Sequence, residues 1–170
     1  EAIADGRYPA ELQRLTGQQR VAVADPDVDT QPDMAVSAGL RAVARSGLGP
    51  DRFGLLLHAT ATHSGLDGWN AASYVQHRVL DGHGLSFEVR QLSNSAAGSL
   101  ELVCAWLSAH PDRPAALVTA ADQFALPAWD RWGSAPPIFV FADGASALVV
   151  ARGGGFGRLA SVVTVADPEL

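Results

Sequence analysis

The sequence predicts an α/β fold, a mixed β-sheet covered by helices. Two observations lead to this prediction. Apolar strand-like runs alternate with helix-like segments through most of the chain, whereas strand-like runs follow one another near the end. Hydrophobic residues make up 48% of the 170 residues and charged residues only 18%, a balance that favours a buried core over disorder. We therefore expect one folded unit with helices on both faces of the sheet.

The predicted elements follow one another with few breaks. Helices are predicted at residues 9–15, 33–46, 70–80 and 94–109. Strands are predicted at residues 53–59, 85–91, 115–121, 145–151 and 156–165, with a further strand-like run at 20–24. Asp33 is the predicted N-cap of the second helix, and Gly47 ends it. Asp143 and Gly144 suit a tight turn before the strand at 145–151. The sheet is predicted to have five strands.

Charge and cysteine content exclude several classes of protein. There are 12 Lys and Arg against 18 Asp and Glu, a net charge of −6, which argues against nucleic acid and anionic membrane surfaces as partners. No apolar run reaches the roughly 18 residues of a membrane span. The single Cys104 rules out an internal disulfide and a Cys-rich zinc site. We predict a cytoplasmic protein without a metal site.

The segment from Phe87 to Ser95 carries the main candidate for chemistry. A buried strand ends and a long helix begins within a few residues, so Ser93 is predicted at the positive end of a helix dipole, near free backbone N–H groups. Such a position activates a nucleophile and stabilises an oxyanion. Ser and Asn are also the commonest helix caps, and caps far outnumber catalytic serines, so the pattern alone favours Ser93 or Asn94 as a cap.

Several short motifs stand in a fixed order along the chain. They are Thr-Gly-Gln-Gln-Arg at 16–20, Asp-Met-Ala at 33–35, Ala-Thr-Ala-Thr at 59–62, Ala-Ala-Ser-Tyr-Val-Gln at 71–76 and Phe-Ala-Asp-Gly-Ala-Ser-Ala at 141–147. In this order they resemble the amino-terminal half of β-ketoacyl-acyl-carrier-protein synthase III, the priming ketosynthase of the thiolase superfamily. Gln18 departs from the Ile of that family. The resemblance implies a thiolase-like half-domain over residues 1–170, with the carboxy-terminal half absent from a chain that is split, processed or incompletely represented.

The resemblance also assigns the nucleophile position. The family's catalytic Cys stands six residues after the Phe of a Phe-Asp-Val strand, and six residues after Phe87 stands Ser93. Ser95 replaces a Gly of the family pattern. Cys104 lies eleven residues beyond Ser93, among apolar residues, and is predicted to be a packed core thiol.

A serine in this position favours acyl transfer over condensation. A hydroxyl needs a base, and an oxygen ester is less reactive than a thioester toward a carbon nucleophile. The resemblance thus implies an acyltransferase that uses acyl carrier protein or coenzyme A in fatty-acid-like or polyketide biosynthesis. Two alternatives stay open: a degenerate subunit that binds a partner subunit or carrier protein, and a decarboxylase without condensation.

Further site residues and partners follow from the resemblance. Leu66 or Trp69 is predicted to cover an acyl chain, Asn94 to contact substrate and Trp132 to line a pantetheine entrance. Two alternatives stay open: Trp69 as a plain buried side chain, and Trp132 as a loop aromatic that packs on the core, which the pattern favours. The catalytic His and Asn of the family belong to the missing half, although His63 lies in a loop near the family's cleft. No cofactor is implied beyond coenzyme A or phosphopantetheine as part of the substrate. We expect a complementary carboxy-terminal half and a dimer through the strand at 115–121. Arg90, Arg131 and Arg152 are candidates for docking an acidic carrier protein, although single charges of this kind are usually only solvated.

Overall fold

The computed structural model describes residues 1–25, 27–65, 67–133, 139–165 and 167. The helices are α1 (Ala10–Thr16), α2 (Gln31–Ser46), α3 (Ala71–Leu80) and α4 (Ser95–Ala109). The strands are β1 (Phe53–Ala59), β2 (Leu85–Val89), β3 (Ala115–Asp122) and β4 (Gly144–Ala151), and two short 3-10 turns cover Pro50–Arg52 and Leu92–Asn94. In the described part of the chain, no helix combines the length and apolar character that crossing a bilayer requires.

The start of α2 differs from the prediction. The helix begins at Gln31, and Thr30 rather than Asp33 is its N-cap, with the Thr30 side chain accepting from the Asp33 N–H at 3.4 Å. Pro32 sits in the first turn, where its missing N–H has no helical partner to lose. The end at Gly47 is confirmed, because Gly47 adopts the left-handed conformation with φ of 68°.

The strands form one mixed sheet in the order β2-β1-β3-β4. β1 runs parallel to both β2 and β3, and β4 pairs antiparallel with β3. Every residue of β1 is buried, as the nearly continuous apolar run predicted. Because β1, β2 and β3 are parallel, their carboxyl ends meet at one edge of the sheet, and the loops that follow them are neighbours there.

Helices cover both faces of the sheet. Phe53, Leu56 and Leu117 face α2 and α3 in one apolar cluster. Leu57 and Val118 face α4 in the other, against its residues Val103 and Leu107. Side chains alternate between the two clusters from Leu55 to Leu57, as in a regular strand. Phe53 shares a cluster with Leu56 because the register is irregular between Phe53 and Leu55. The α/β class and the two helical layers are therefore confirmed.

The predicted number of strands is wrong. The described residues form a four-stranded sheet, and residues 156–165 belong to no strand. Phe156, Val163 and Val165 are exposed there, because the described part of the chain gives them neither a pairing strand nor an apolar surface. The run at 20–24 is not a strand either, although Ala22 accepts one backbone hydrogen bond from Asp143.

The expected turn at Asp143 and Gly144 is also wrong. Gly144 is the first residue of β4, and neither residue has a positive φ. The Asp143 carboxylate is buried and accepts hydrogen bonds from the N–H groups of Ala24 and Phe124. Its role is to hold the segment at 22–24 and the segment after β3 against the start of β4.

Candidate active site

Ser93 lies on a sharp connection between β2 and α4. β2 ends at Val89, the 3-10 turn covers Leu92–Asn94, and α4 begins at Ser95. Leu92, directly before Ser93, has a φ of 49° in the left-handed region. For a residue with a branched side chain this conformation costs about 1–2 kcal/mol, and such positions concentrate at functional sites. We call residues 90–95 the elbow.

Ser95 holds the elbow in place. Its buried hydroxyl accepts a hydrogen bond from the Gln91 N–H at 2.7 Å and lies 2.8 Å from the Leu92 carbonyl oxygen. The same hydroxyl lies 3.2 Å from the Thr60 carbonyl oxygen, in the loop after β1. Sequence reasoning identified Ser95 only as a departure from a family Gly. The structure gives it a positioning role that a glycine could not perform.

The hydroxyl of Ser93 has no hydrogen-bond partner among the described residues. Ser93 itself is exposed. Asn94 occupies the N-cap position of α4, but its side chain makes no capping hydrogen bond and lies 3.4 Å from the Gln91 Oε1 instead. The prediction that Asn94 caps the helix through its side chain is therefore wrong. The Ser93 side chain forms no capping hydrogen bond with the described residues either.

The loops after β1 and β3 meet the elbow. The Thr60 N–H donates to the Val89 carbonyl oxygen at 3.1 Å, which joins the ends of β1 and β2. Asp122, the last residue of β3, accepts from the N–H groups of Ala61 and Thr62 at 2.7 and 2.9 Å through one carboxylate oxygen. The Thr60 and Thr62 hydroxyls both lie 3.0 Å from that oxygen. Asp122 thus fixes the loop that touches the elbow.

Gln31 extends this network into α2. Its Nε2 group donates to the Thr60 hydroxyl at 2.8 Å and to the Ala121 carbonyl oxygen. Gln31 and Asp122 were not among the predicted site residues. The available signal for Asp122 was a carboxylate directly after an apolar strand, at the edge where parallel sheets place their ligand sites. Gln31 carried no such signal, because its partners are 29 and 90 residues away in sequence.

A cavity of about 480 Å³ opens beside this network. Its walls include Gln31 and Pro32 from α2, Ser64 and Trp69 from the loop before α3, and Gln123 after β3. The Trp69 ring contacts the Tyr74 ring with centroids 5.4 Å apart. Trp69 therefore borders a space large enough for a small ligand, whereas the predicted Leu66 lies outside the described residues.

The two histidines nearest this edge differ in environment. His58 on β1 is fully buried, its Nδ1 lies 3.0 Å from the Thr119 hydroxyl, and burial lowers its pKa against the opposing charges of Glu88 and Asp122. His63 borders the cavity and lies 3.6 Å from the Asp67 carboxylate. Neither histidine is hydrogen-bonded to Ser93 in the described structure. In the same residues, no group of three or more His, Cys, Asp or Glu side chains could hold a metal ion.

Trp132 lies in a different environment from the elbow residues. Its ring packs on Tyr8, with centroids 5.9 Å apart, and under the Arg7 guanidinium. The adjacent Arg131 is not a free docking residue, because it is buried in an ion pair with Asp143 at 2.7 Å. The structure thus brings Ser93 and Asn94 together on the elbow and places Trp69 on the cavity, while the contacts of Trp132 are with the amino-terminal segment.

The other two arginines proposed for docking also have partners. Arg90 forms an ion pair with Glu88 at 2.8 Å, and Arg152 donates to the Leu107 carbonyl oxygen. Cys104 is a half-buried free thiol on α4. Cys104 belongs to neither apolar cluster, so its predicted place in the core is not confirmed.

Comparisons with known proteins agree with this architecture. The ChlB3 acyltransferase structure is 40% identical with a TM-score of 0.84, and the match covers 91% of this chain and 46% of that one. AbyA1, a tetronic acid condensing enzyme, is 26% identical with a TM-score of 0.70 over 91% of this chain and 48% of that one. A β-ketoacyl-[acyl-carrier-protein] synthase III from Thermosynechococcus vestitus is 31% identical over 139 residues, 82% of this chain and 40% of the relative.

No family model matches the sequence. The chain spans 40% to 48% of the length of the three relatives named above. The shared fold and the matched length agree with the resemblance that the order of the motifs indicated. The chain shares the fold of β-ketoacyl-acyl-carrier-protein synthase III-like proteins over a little under half of their length.

Proposed function

We propose that this chain supplies the nucleophile, Ser93, of a ketosynthase-III-like acyltransferase. The enzyme takes an acyl group from acyl carrier protein or coenzyme A and passes it to an alcohol or amine, in fatty-acid-like or polyketide biosynthesis. The observation that carries the proposal is the exposed hydroxyl of Ser93 on the elbow, for which the described residues supply no hydrogen-bond partner. The 40% identity to a protein described as an acyltransferase supports the same reaction class.

The elbow provides two of the elements that acyl transfer needs. The Ser93 oxygen attacks the thioester carbonyl carbon, the carbon–sulfur bond breaks, and the proton of the hydroxyl passes to the departing thiolate of the pantetheine arm. We propose that the backbone N–H of Ser93, close to the amino-terminal end of the 15-residue α4, donates to the oxyanion that forms on the way. In the second half-reaction the acceptor attacks the serine ester, and its proton returns to Ser93.

A base must take the proton from Ser93, and we propose that a complementary half supplies it. The described residues present no histidine or carboxylate in hydrogen-bond contact with Ser93. The chain also covers less than half of the relatives it matches. The same complementary half would cover apolar side chains that are exposed here after β4, such as Phe156 and Val163.

The proposed homodimer needs a different strand from the one predicted. β3 cannot pair with a partner strand, because β1 and β4 occupy both of its edges. β2 is an edge strand, because no described strand pairs with its outer side, and its Leu85 and Phe87 are exposed. We propose that the dimer forms through β2, while the cytoplasmic location stays a prediction.

Intact-mass measurement tests the proposed nucleophile. The protein, isolated in its complete natural assembly, is incubated with acyl-coenzyme A and acyl-carrier-protein donors, and the added mass is mapped by peptide analysis. We expect one acyl group on Ser93, no adduct on Ser93→Ala, and a normal adduct on the matched control Ser108→Ala at the other end of α4. Turnover without an adduct would replace the proposal with a reaction that needs no nucleophile, such as decarboxylation. A folded assembly without adduct or turnover would favour the non-catalytic binding subunit.

A further inference from the structure

Thr60 contacts both ends of the elbow through its backbone. It directly follows β1 and is 1% exposed. Its N–H donates to the carbonyl oxygen of Val89, the residue directly before the elbow, at 3.1 Å. Its carbonyl oxygen lies 3.2 Å from the hydroxyl of Ser95, the last residue of the elbow. The Thr60 backbone therefore holds the segment that contains Ser93 at both of its ends.

The side chain of Thr60 determines where that backbone lies. Its hydroxyl accepts from the Gln31 Nε2 group at 2.8 Å and from the Thr62 N–H at 3.2 Å. The hydroxyl proton has two acceptors within reach, the Thr62 carbonyl oxygen at 2.9 Å and the Asp122 carboxylate at 3.0 Å. A hydroxyl has one proton and two lone pairs, so its whole hydrogen-bonding capacity is used. Because a β-branched side chain also has few allowed rotamers, these contacts fix the position of Thr60.

Gln31 attaches this position to the helical layer of α2. It is the first residue of α2 and is 3% exposed. Its Nε2 group donates to the Ala121 carbonyl oxygen of β3 as well as to the Thr60 hydroxyl. Buried hydrogen-bond networks whose members are paired are rigid. The elbow is therefore held against contacts that α2, β1 and β3 provide together, through the single residue Thr60.

We propose that Thr60 is a positioning residue for Ser93: its hydroxyl network holds both ends of the elbow and thereby sets the direction of the Ser93 side chain. This inference rests on the proposed acyltransferase function and adds a residue on which the rate of that reaction depends. In the described residues no hydrogen bond joins Thr60 to Ser93, so Thr60 acts through the backbone of the elbow. A displacement of about 1 Å at a reacting group can lower a rate about a hundredfold.

Single-turnover acylation by an acyl-coenzyme A donor, in the complete natural assembly, tests the rate. Thr60→Val keeps the shape of the side chain and removes its hydroxyl, while Gln31 and Asp122 keep other partners that maintain the fold. We expect the maximal rate of Ser93 acylation to fall about tenfold or more, with no change in the donor concentration that gives half of the maximal rate. Thr60→Ser keeps the hydroxyl and should restore most of the rate.

Thr62→Val is the matched control for the loss of a buried hydroxyl. Thr62 is 3% exposed, and its hydroxyl lies 3.0 Å from the same Asp122 oxygen. In the described structure, however, no hydrogen bond of Thr62 reaches residues 89–95. We therefore expect Thr62→Val to lower stability without the tenfold loss of rate. An equal loss of rate in Thr60→Val and Thr62→Val would make the role of Thr60 merely structural and overturn the proposal.

The thiol introduced by Ser93→Cys gives a second readout that needs no acyl donor. Its pKa, measured from the pH dependence of alkylation by iodoacetamide, reports how the side chain is aligned with the amino-terminal end of α4. Adding Thr60→Val should raise that pKa by about 0.5 toward the ordinary thiol value, whereas adding Thr62→Val should leave it unchanged. This result stands even if the mass experiment finds no acyl group on Ser93, so the two proposals can fail separately. A thiol pKa that Thr60→Val does not move would overturn the positioning role.

Discussion

The hydroxyl of Ser95 accepts a hydrogen bond from the backbone N–H of Gln91 at 2.7 Å, across the connection that presents Ser93. The bond closes the elbow on itself, and the proximity of Ser95 to the Thr60 carbonyl oxygen attaches the elbow to the loop after β1. A side chain two residues beyond the candidate nucleophile thus sets the direction of that nucleophile.

Ser95→Ala should therefore reduce both stability and acylation. The substitution leaves the Gln91 N–H without its partner, and we expect the free energy of unfolding to fall by about 1–3 kcal/mol in urea titrations. The rate of acyl-adduct formation on Ser93 should fall more than in Ser108→Ala, which loses one exposed hydrogen bond on the same helix. Equal acylation rates in the two variants would contradict a positioning role.

Ser93→Cys tests the electrostatics of the elbow. A thiol at the amino-terminal end of α4 should have a lowered pKa, since the helix dipole stabilises the thiolate. We expect iodoacetamide to alkylate it about tenfold faster than the half-buried Cys104 near neutral pH, measured by peptide mass analysis. Unmodified protein gives the reference rate for Cys104, and comparable rates at the two thiols would mean that the elbow does not activate its side chain.

Asp122 should control the loop that supports the elbow. One of its carboxylate oxygens accepts the N–H groups of Ala61 and Thr62, so Asp122→Ala leaves several groups unpaired. We expect a loss of about 2–4 kcal/mol in the free energy of unfolding. Asp122→Asn keeps an acceptor oxygen and should lose less. Asp112→Ala, at an exposed position, is the control, and a loss no larger than in that control would show that the loop is held by other contacts.

The ion pair of Arg131 and Asp143 should be a structural element. Its two side chains are 8% and 1% exposed, and each also bonds the backbone of neighbouring segments. Removing one partner of a buried pair typically costs about 3–5 kcal/mol, so Arg131→Met should lower the melting temperature strongly. The exposed pair of Arg90 and Glu88 provides the comparison, and Arg90→Met should cost less than about 1 kcal/mol. A similar loss of stability in Arg131→Met and Arg90→Met would contradict the structural role proposed for the buried pair.

His58 should make the fold sensitive to mild acid. Burial holds its pKa below the usual value of 6.5, so the unfolded chain takes up a proton at a higher pH than the folded chain. The stabilisation is complete above pH 6.5 and is lost as the pH falls below that value, by at most about 1.4 kcal/mol per pH unit. Urea titrations at pH 7.5 and 5.5 measure this loss.

His58→Asn removes the titrating group and should reduce the difference between the two pH values. His77→Asn, at an exposed position on α3, is the matched control. If the free energy of unfolding of His58→Asn depends on pH as strongly as that of the unmodified protein, His58 is not the titrating group.

Local sequence patterns predicted much of the fold. The apolar run at 53–59 gave β1, because a strand between two helical layers needs apolar side chains on both faces. The strand-to-helix junction placed Ser93 where the structure has it, since strand and helix periods change within a few residues there. The run at 156–165 has an equally strand-like pattern but no partner strand among the described residues. Pattern alone cannot show whether a partner is present.

The sequence by itself determined the class of fold, the order of its elements and the position of the candidate nucleophile. Tertiary structure decided the rest of the site. Gln31 meets Ala121 across 90 residues, and Thr60 meets Asp122 across 62, so neither pair leaves a local pattern. Likewise only the sheet order shows that β3 is internal and β2 is an edge. Periodicity records which face of an element is buried, whereas hydrogen-bond partners depend on how distant segments are brought together.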